Sequence, residues 1–376
     1  MPENYLNKSP NKSPNKSTDV LVLGATPAGL AAAIAYAKLG VAVRVLEQHS
    51  DLSYLTGSVS LSSRALELLD ALGLAELVIA QGYKIKKINL RGPDFCEIAN
   101  LNFESVNNLK NKNKFNFLLA LSQDQLEKIM VDCLKKLGVS IEFNAYFMAQ
   151  DQTDFVINTC VNTPQGEEWI ESKILVAADG EFSLIRQKLR INFGLTEYSH
   201  HFSLIDLKTD HDYGDATFCV LNNSFLYVQR IKNNLYRVVS NQPNAFSLLP
   251  QRIQPEELVW QSERRVVTHQ LRSYQYGRIF FVGSTAHQHL PIDGRELSMG
   301  LEDAVTLAAM TMDECLDQYH DHRYKANLKL LYHSERLFKL IKPHSDIYLK
   351  LRNFCLKNLL NHKNIQAKVL SGVSKF

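Results

Sequence analysis

The chain has 376 residues, 45% hydrophobic and 22% charged, with 42 Lys and Arg against 39 Asp and Glu for a net charge of +3. That is chain enough for two or three domains with substantial cores, and too small a charge excess for a nucleic-acid binder. Six scattered cysteines (Cys96, Cys133, Cys160, Cys219, Cys315, Cys355), with no CxxC pair and no His at zinc-ligand spacing, argue against a disulfide framework and a metal site, so a reducing cytoplasm is the expected location.

Residues 1–17 read as a disordered tail, since 7–17 repeat NKSPNKSPNKS without an apolar targeting core. The apolar stretch from Val20 to Val45 is broken by Gly24, Pro27, Gly29, Lys38, Gly40 and Arg44, which rules out an uninterrupted membrane span. It predicts a parallel βαβ unit: a strand, a turn, an Ala-rich helix closed by Gly40, and a second strand ending at Glu47. SSRALELLDALGL (62–74) and QDQLEKIMVDCLKKLGV (123–139) predict amphipathic helices. KIKKINLRG, EIANLNFES and FNFLLALS between them predict strands, with NNLKNKNK as a solvated hairpin tip, and residues 200–240 repeat this β character. From about Asp303 the pattern is helical to the end, where residues 321–376 hold 12 Lys and Arg against 3 Asp and Glu.

Three stretches carry chemistry. In Gly24-Ala25-Thr26-Pro27-Ala28-Gly29, Gly24 suits the tight turn of a dinucleotide-binding loop and Gly29 the close helix packing, while Thr26 replaces the middle glycine and narrows the approach. The helix N-terminus would face phosphates, and Glu47 would accept hydrogen bonds from ribose hydroxyls. The second stretch runs Ile174 to Gly180 and on to Arg186. The third runs Gly277 to His287, then Leu290-Pro291-Ile292-Asp293-Gly294 and Gly300 to Ala304. Each is an apolar strand breaking into a small-residue turn where a flat cofactor could meet main-chain donors.

In order and spacing the three stretches resemble the class A FAD-dependent monooxygenases, the family of para-hydroxybenzoate hydroxylase, phenol hydroxylase and the ubiquinone-biosynthesis hydroxylases, over roughly residues 18–325. The resemblance implies an α/β fold, α+β overall: a Rossmann-type FAD/NAD(P)-binding domain with an inserted, mainly antiparallel β substrate domain and C-terminal helices. The expected partition is 18–82, 120–190 and 270–325 for the discontinuous FAD domain, 83–119 and 191–269 for the β domain, and 326–376 for the helical segment. Residues 58–74 look like the family's second helix. By position, the implied cofactor contacts are Gly24, Ala25, Thr26, Ala28, Gly29, Glu47, Arg64, Gln123, Asp179, Gly180, Gly283, Ser284, Gly294, Leu297 and Ser298. Pro291 would lie beside the flavin ring and His287 would shuttle protons.

The implied activity is hydroxylation of an aromatic or quinone-like small molecule through a flavin C4a-hydroperoxide, with FAD as cofactor and NAD(P)H as a transient co-substrate. The substrate pocket is expected between the flavin and the strands bearing Phe218, Phe225, Tyr227 and Arg230. Three positions depart from the family's third motif: Ser284 stands where Asp is usual, Glu296 where Gly is, and Ser298 where Asn is. A carboxylate at 296 is costly if buried unpaired, which leaves open a catalytically silent, flavin-free descendant that binds without reacting. A flavoprotein reductase without oxygen transfer also stays open. At the C-terminus, Leu328, Leu331, Leu337, Phe338, Ile341, Leu349 and Leu351 interleave with Lys329, Arg336, Lys339, Lys342, Lys350 and Arg352. That composition suits either helices packed on the core or peripheral contact with the inner face of an anionic membrane.

Overall fold

A computed structural model of the chain describes residues 16–52, 58–103, 114–193, 198–250, 255–289, 295–341, 346–360 and 362–374. Nearly all of the expected tail and hairpin tip lie outside these residues, as do Pro291 and Gly294.

The predicted βαβ unit is β1 (Lys16–Leu23), α1 (Pro27–Lys38) and β2 (Val43–Leu46). It starts earlier than expected, since Lys16 and Ser17 already pair with Ile170 and Glu171. Alanines make α1 slender enough to be buried on every side from Pro27 to Tyr36. Gly40, at a φ of +76°, ends it in the left-handed conformation that a side chain would resist.

Residues 58–61 do not join the second helix. They form β3 (Ser58–Leu61), and α2 (Ser63–Ala71) begins only after Ser62, whose hydroxyl caps the helix by accepting from Ala65 N. The chain continues through α3 (Ala75–Gln81), β4 (Tyr83–Ile85), β5 (Lys87–Arg91), β6 (Glu97–Asn102), β7 (Leu118–Ser122) and α4 (Gln123–Lys136). Three strands that the sequence reading did not mark follow: β8 (Ile141–Glu142), β9 (Tyr146–Gln152) and β10 (Ile157–Thr163). Then come β11 (Gly166–Ala177), α5 (Leu184–Leu189), β12 (Tyr198–Lys208), β13 (Ala216–Val220), β14 (Phe225–Lys232), β15 (Leu235–Ser240) and β16 (Glu257–Gln270). The last part holds β17 (Gln275–Tyr276), β18 (Ile279–Phe281), β19 (His287–Gln288), α6 (Arg295–Met312), α7 (Tyr319–Ile341), α8 (Asp346–Leu359) and α9 (Lys363–Ser374).

The strands make three sheets. One is a parallel layer ordered β18-β11-β1-β2-β8, with β17 antiparallel on the β18 edge, β10 antiparallel along the first half of β11 and β9 antiparallel to β10. The second runs β19-β16-β12-β15-β14-β13-β5-β6 and is antiparallel except where β13 meets β5. The third is the small antiparallel set β3-β7-β4. The main core lies on the parallel layer, where Leu21, Val22, Leu175 and Val176 meet Leu30, Ile34, Leu126 and Leu301. Strands buried on both faces read as continuous apolar runs, which is why β1 and the end of β11 were legible in the sequence.

Candidate functional site

The three glycine-bearing turns all emerge at the C-terminal ends of parallel strands β1, β11 and β18, where an open α/β sheet places its ligands. Gly24, at a φ of +106°, presses against the end of β11: a Cβ there would stand 2.2 Å from Ala178 O and 2.7 Å from the Asp179 Cα. A Cβ on Gly29 would stand 2.0 Å from Gly24 O. Both positions therefore need glycine for close backbone approach. Thr26, the residue in place of the middle glycine, caps α1: its hydroxyl donates to Ala178 O at 2.9 Å and accepts from Gly29 N at 3.3 Å. The departure thus binds the first turn to the second.

The second and third turns are joined as closely. Gly180 N donates to Thr285 Oγ1 at 2.8 Å, and the Arg186 guanidinium donates to Thr285 O at 2.6 Å and Gly180 O at 3.3 Å. Gly283, at a φ of +60°, packs on Ala28 of α1, where an added Cβ would come within 2.7 Å of the Ala28 Cβ. Gly300 on α6 closes the same contact from the other side.

Between β1, β2 and β11 lies a small cleft lined by Leu23, Gly24, Leu46, Gln48, Ala145, Phe147, Asp179 and Leu184. Asp179 Oδ1 is buried with no hydrogen-bond partner, while its Oδ2 accepts from Ile185 N at 3.2 Å. Burial raises the pKa of this carboxyl. Two features therefore fit a dinucleotide: a backbone cradle that side chains would fill, and an acceptor on the cleft wall awaiting a donor.

Other expected contacts are held by the protein itself. Glu47 is buried and accepts from Ala25 N at 2.7 Å through Oε2, while its Oε1 meets His49 N at 3.0 Å and His49 Nδ1 at 2.6 Å. A carboxylate has about four acceptor positions, so with three donors in place Glu47 keeps one in reserve. Arg64 forks onto Glu302 Oε1, at 2.6 and 3.1 Å. Gln123 donates from Nε2 to Glu127 Oε1 at 2.7 Å. Ser298 Oγ lies 2.8 Å from Ser62 Oγ in a buried pair, Leu297 packs on the main core, and Ser284 is half-buried.

His287 is wholly buried, and its Nε2 lies 2.7 Å from Asp303 Oδ2. Asp303 also accepts from Gly283 N (3.1 Å), Arg323 Nε (2.7 Å) and Asn327 Nδ2 (3.2 Å). Burial works against its charge, yet Arg323 and His287 bring the carboxyl down to about 2. This network carried no local signal: Asp303 sits in the third motif, but Arg323 and Asn327 lie one helix further on. Of the residues on the strands expected to border a substrate pocket, Phe225 is core and stacks on Phe218 at 5.4 Å, and Arg230 is turned to Asp212, Gly214 and the face of Tyr236. Tyr227 packs beside Phe218 and Val220, in the same cluster as Ala120 of β7.

The family model described as the FAD binding domain matches residues 17–228 and 240–334. The chain belongs to this family. Its relatives include an uncharacterised aromatic compound monooxygenase, YhjG, of Bacillus subtilis, 27% identical over 95% of this chain and 75% of that one. Pentachlorophenol 4-monooxygenase of Sphingobium chlorophenolicum is 23% identical over 86% of this chain, which spans 65% of its length. Among solved structures, p-nitrophenol 4-monooxygenase PnpA of Pseudomonas putida shares the fold at a TM-score of 0.87 and 24% identity, covering 96% of this chain and 98% of its own. The resemblance to the class A flavin monooxygenases therefore holds through motifs, relatives and fold alike.

Proposed function

We propose that the protein is an FAD-dependent monooxygenase that hydroxylates an aromatic or quinone-like small molecule with NAD(P)H and O₂. The observation that carries this reading is the direct contact of the Gly24, Asp179-Gly180 and Gly283 turns at the C-terminal ends of three parallel strands in a chain of the FAD binding domain family. Relatives named for pentachlorophenol and para-nitrophenol support an aromatic substrate class. The same reading takes the parallel layer as a Rossmann-type FAD-binding unit and the eight-stranded sheet as the substrate side.

The chemistry the cofactor supplies when bound is acceptance of hydride from NAD(P)H and transfer of one atom of O₂ to an electron-rich ring. The residues of this chain bind, orient and dry. Gly24 and the α1 N-terminus would face the pyrophosphate, and Glu47 and Asp179 would accept from sugar hydroxyls. Arg186 and Thr285 hold the second and third turns at fixed separation. His287 is assigned a positioning role: wholly buried, it fixes the Gly283 turn together with Asp303. Glu296 opens α6, where the helix N-terminus stabilises a carboxylate, so this departure from the family pattern is compatible with cofactor binding.

The test is direct. The purified protein should be yellow or take up added FAD, oxidise NADH or NADPH faster when a suitable phenol is present, and place an atom of isotopically labelled O₂ in the product. A colourless protein that ignores added FAD would exclude the reading; turnover without oxygen in the product would leave a reductase.

A further inference from the structure

Among the described residues, the C-terminal helices present exposed apolar side chains. Of the apolar residues singled out in the sequence, Leu331, Phe338 and Ile341 are buried, while Leu351 faces outward together with Ile347 and Phe354. Buried Arg352 donates to Ile341 O at 2.7 Å and Leu221 O at 2.9 Å, and Leu356 and Leu360 join Ile88 and Leu90 in the core beneath α8. At about 100° per residue this rotation turns Ile347, Leu351 and Phe354, at i, i+4 and i+7, away from the protein. They are 81%, 56% and 66% exposed. Because Arg352 pins the helix, the stripe cannot roll inward, and an exposed apolar stripe rimmed by cations is a candidate contact surface.

Charge selects what covers it. Lys350 and Lys357 flank the stripe, exposed, and Arg336, Lys339 and Lys368 are exposed on the neighbouring helices. Among the described side chains of residues 325–370 the one carboxylate, Glu335, is buried. A second copy docking through a two-fold axis would set these cations against their own images. An anionic bilayer accepts both features, with acyl chains for the stripe and phosphates for the lysines, whose long stems let the ammonium reach the headgroups. No helix among the described residues is long and apolar enough to cross a membrane, so the contact is peripheral. We propose that α8 seats the protein on an anionic membrane surface, with Ile347, Leu351 and Phe354 entering the acyl boundary and Lys350 and Lys357 meeting the headgroups. This inference is independent of the enzymatic reading.

The experiment is co-sedimentation of the full chain with vesicles of phosphatidylglycerol in phosphatidylcholine, and with pure phosphatidylcholine, at low and high salt. The expected result is binding to the anionic vesicles, at least tenfold weaker binding to the neutral ones, and weakening by salt. The triple variant I347S/L351S/F354S should lose at least tenfold in partitioning with its melting temperature unchanged, because all three positions are exposed. If it fails to fold, K350E/K357E, at exposed positions, should reduce binding to the same vesicles. Wild-type protein that stays in the supernatant with anionic vesicles overturns the proposal. So does sedimentation velocity showing a dimer that the triple variant dissolves, which would assign the surface to a second copy, or capture by an acidic protein with no affinity for lipid.

Discussion

His287 Nε2 and Asp303 Oδ2 lie 2.7 Å apart with both side chains wholly removed from solvent, so the imidazole N–H donates to a carboxylate that also carries Arg323 and the Gly283 turn. Removing Asp303 takes from the buried Arg323 guanidinium the closer and wholly buried of its two carboxylate partners, leaving only the part-exposed Glu302 at 3.2 Å. Asp303→Ala should therefore cost about 3–5 kcal/mol in denaturant unfolding, whereas His287→Gln, which keeps a donor, should cost far less. The pH dependence has a definite sign. A carboxyl held at about 2 when folded and at 3.8 otherwise stabilises fully above the higher value and progressively loses that contribution as pH falls toward the lower. The loss is about 2 kcal/mol, read from unfolding midpoints between these two pH values and absent in Asp303→Asn.

Gly24 and Gly40 both have positive φ, yet substitution should separate them. Alanine at 24 meets Ala178 O at 2.2 Å, in the cradle assigned to the cofactor, while alanine at 40 meets nothing within 4 Å. Gly40→Ala should cost only the backbone strain, about 1 kcal/mol, and leave flavin content intact. Gly24→Ala should abolish the flavin absorbance of the purified protein and lower its melting temperature. Equal flavin content in the two variants would remove Gly24 from the site.

The contrast between these glycines shows what the sequence could disclose. Gly24, Gly29 and the turns at 179 and 283 were legible because close backbone approach permits few residue types, and β1 and β11 because strands buried on both faces read as unbroken apolar runs. β9 and β10 escaped notice: β9, reading YFMAQDQ, is largely exposed and lacks clean alternation. The partners of Arg64 and Asp303 were also hidden, since Glu302 reaches Arg64 from a helix far along the chain and Arg323 reaches Asp303 from the helix that follows. In the C-terminal helices composition gave the charge, but only the anchoring of Arg352 decides which apolar residues face out.

Arg64 offers a separation of roles. Its pairing with Glu302 is half-exposed, so screening leaves it little weight in stability, and Arg64→Ala should change unfolding free energy by less than about 1 kcal/mol. If the guanidinium also meets the cofactor's phosphates, as its position in the family implies, FAD titration by fluorescence quenching should show affinity falling about tenfold or more. Unchanged affinity would confine Arg64 to holding α2 against α6.

Glu127 gives the opposite pH signature to Asp303. It is buried on α4, and burial first, then the neighbouring Asp124 and Glu47 carboxylates, push it up to about 7 against the Gln123 hydrogen bond. The folded protein thus holds a proton that the unfolded chain releases near 4.5, so stability falls as pH rises from 4.5 toward 7. Glu127→Gln keeps an acceptor for Gln123 and removes the charge. It should leave stability near pH 4.5 almost unchanged and raise it above pH 7 by about 1–3 kcal/mol, measured by urea unfolding at both ends of the range. A variant as pH-dependent as the wild type across that interval would place the titration elsewhere.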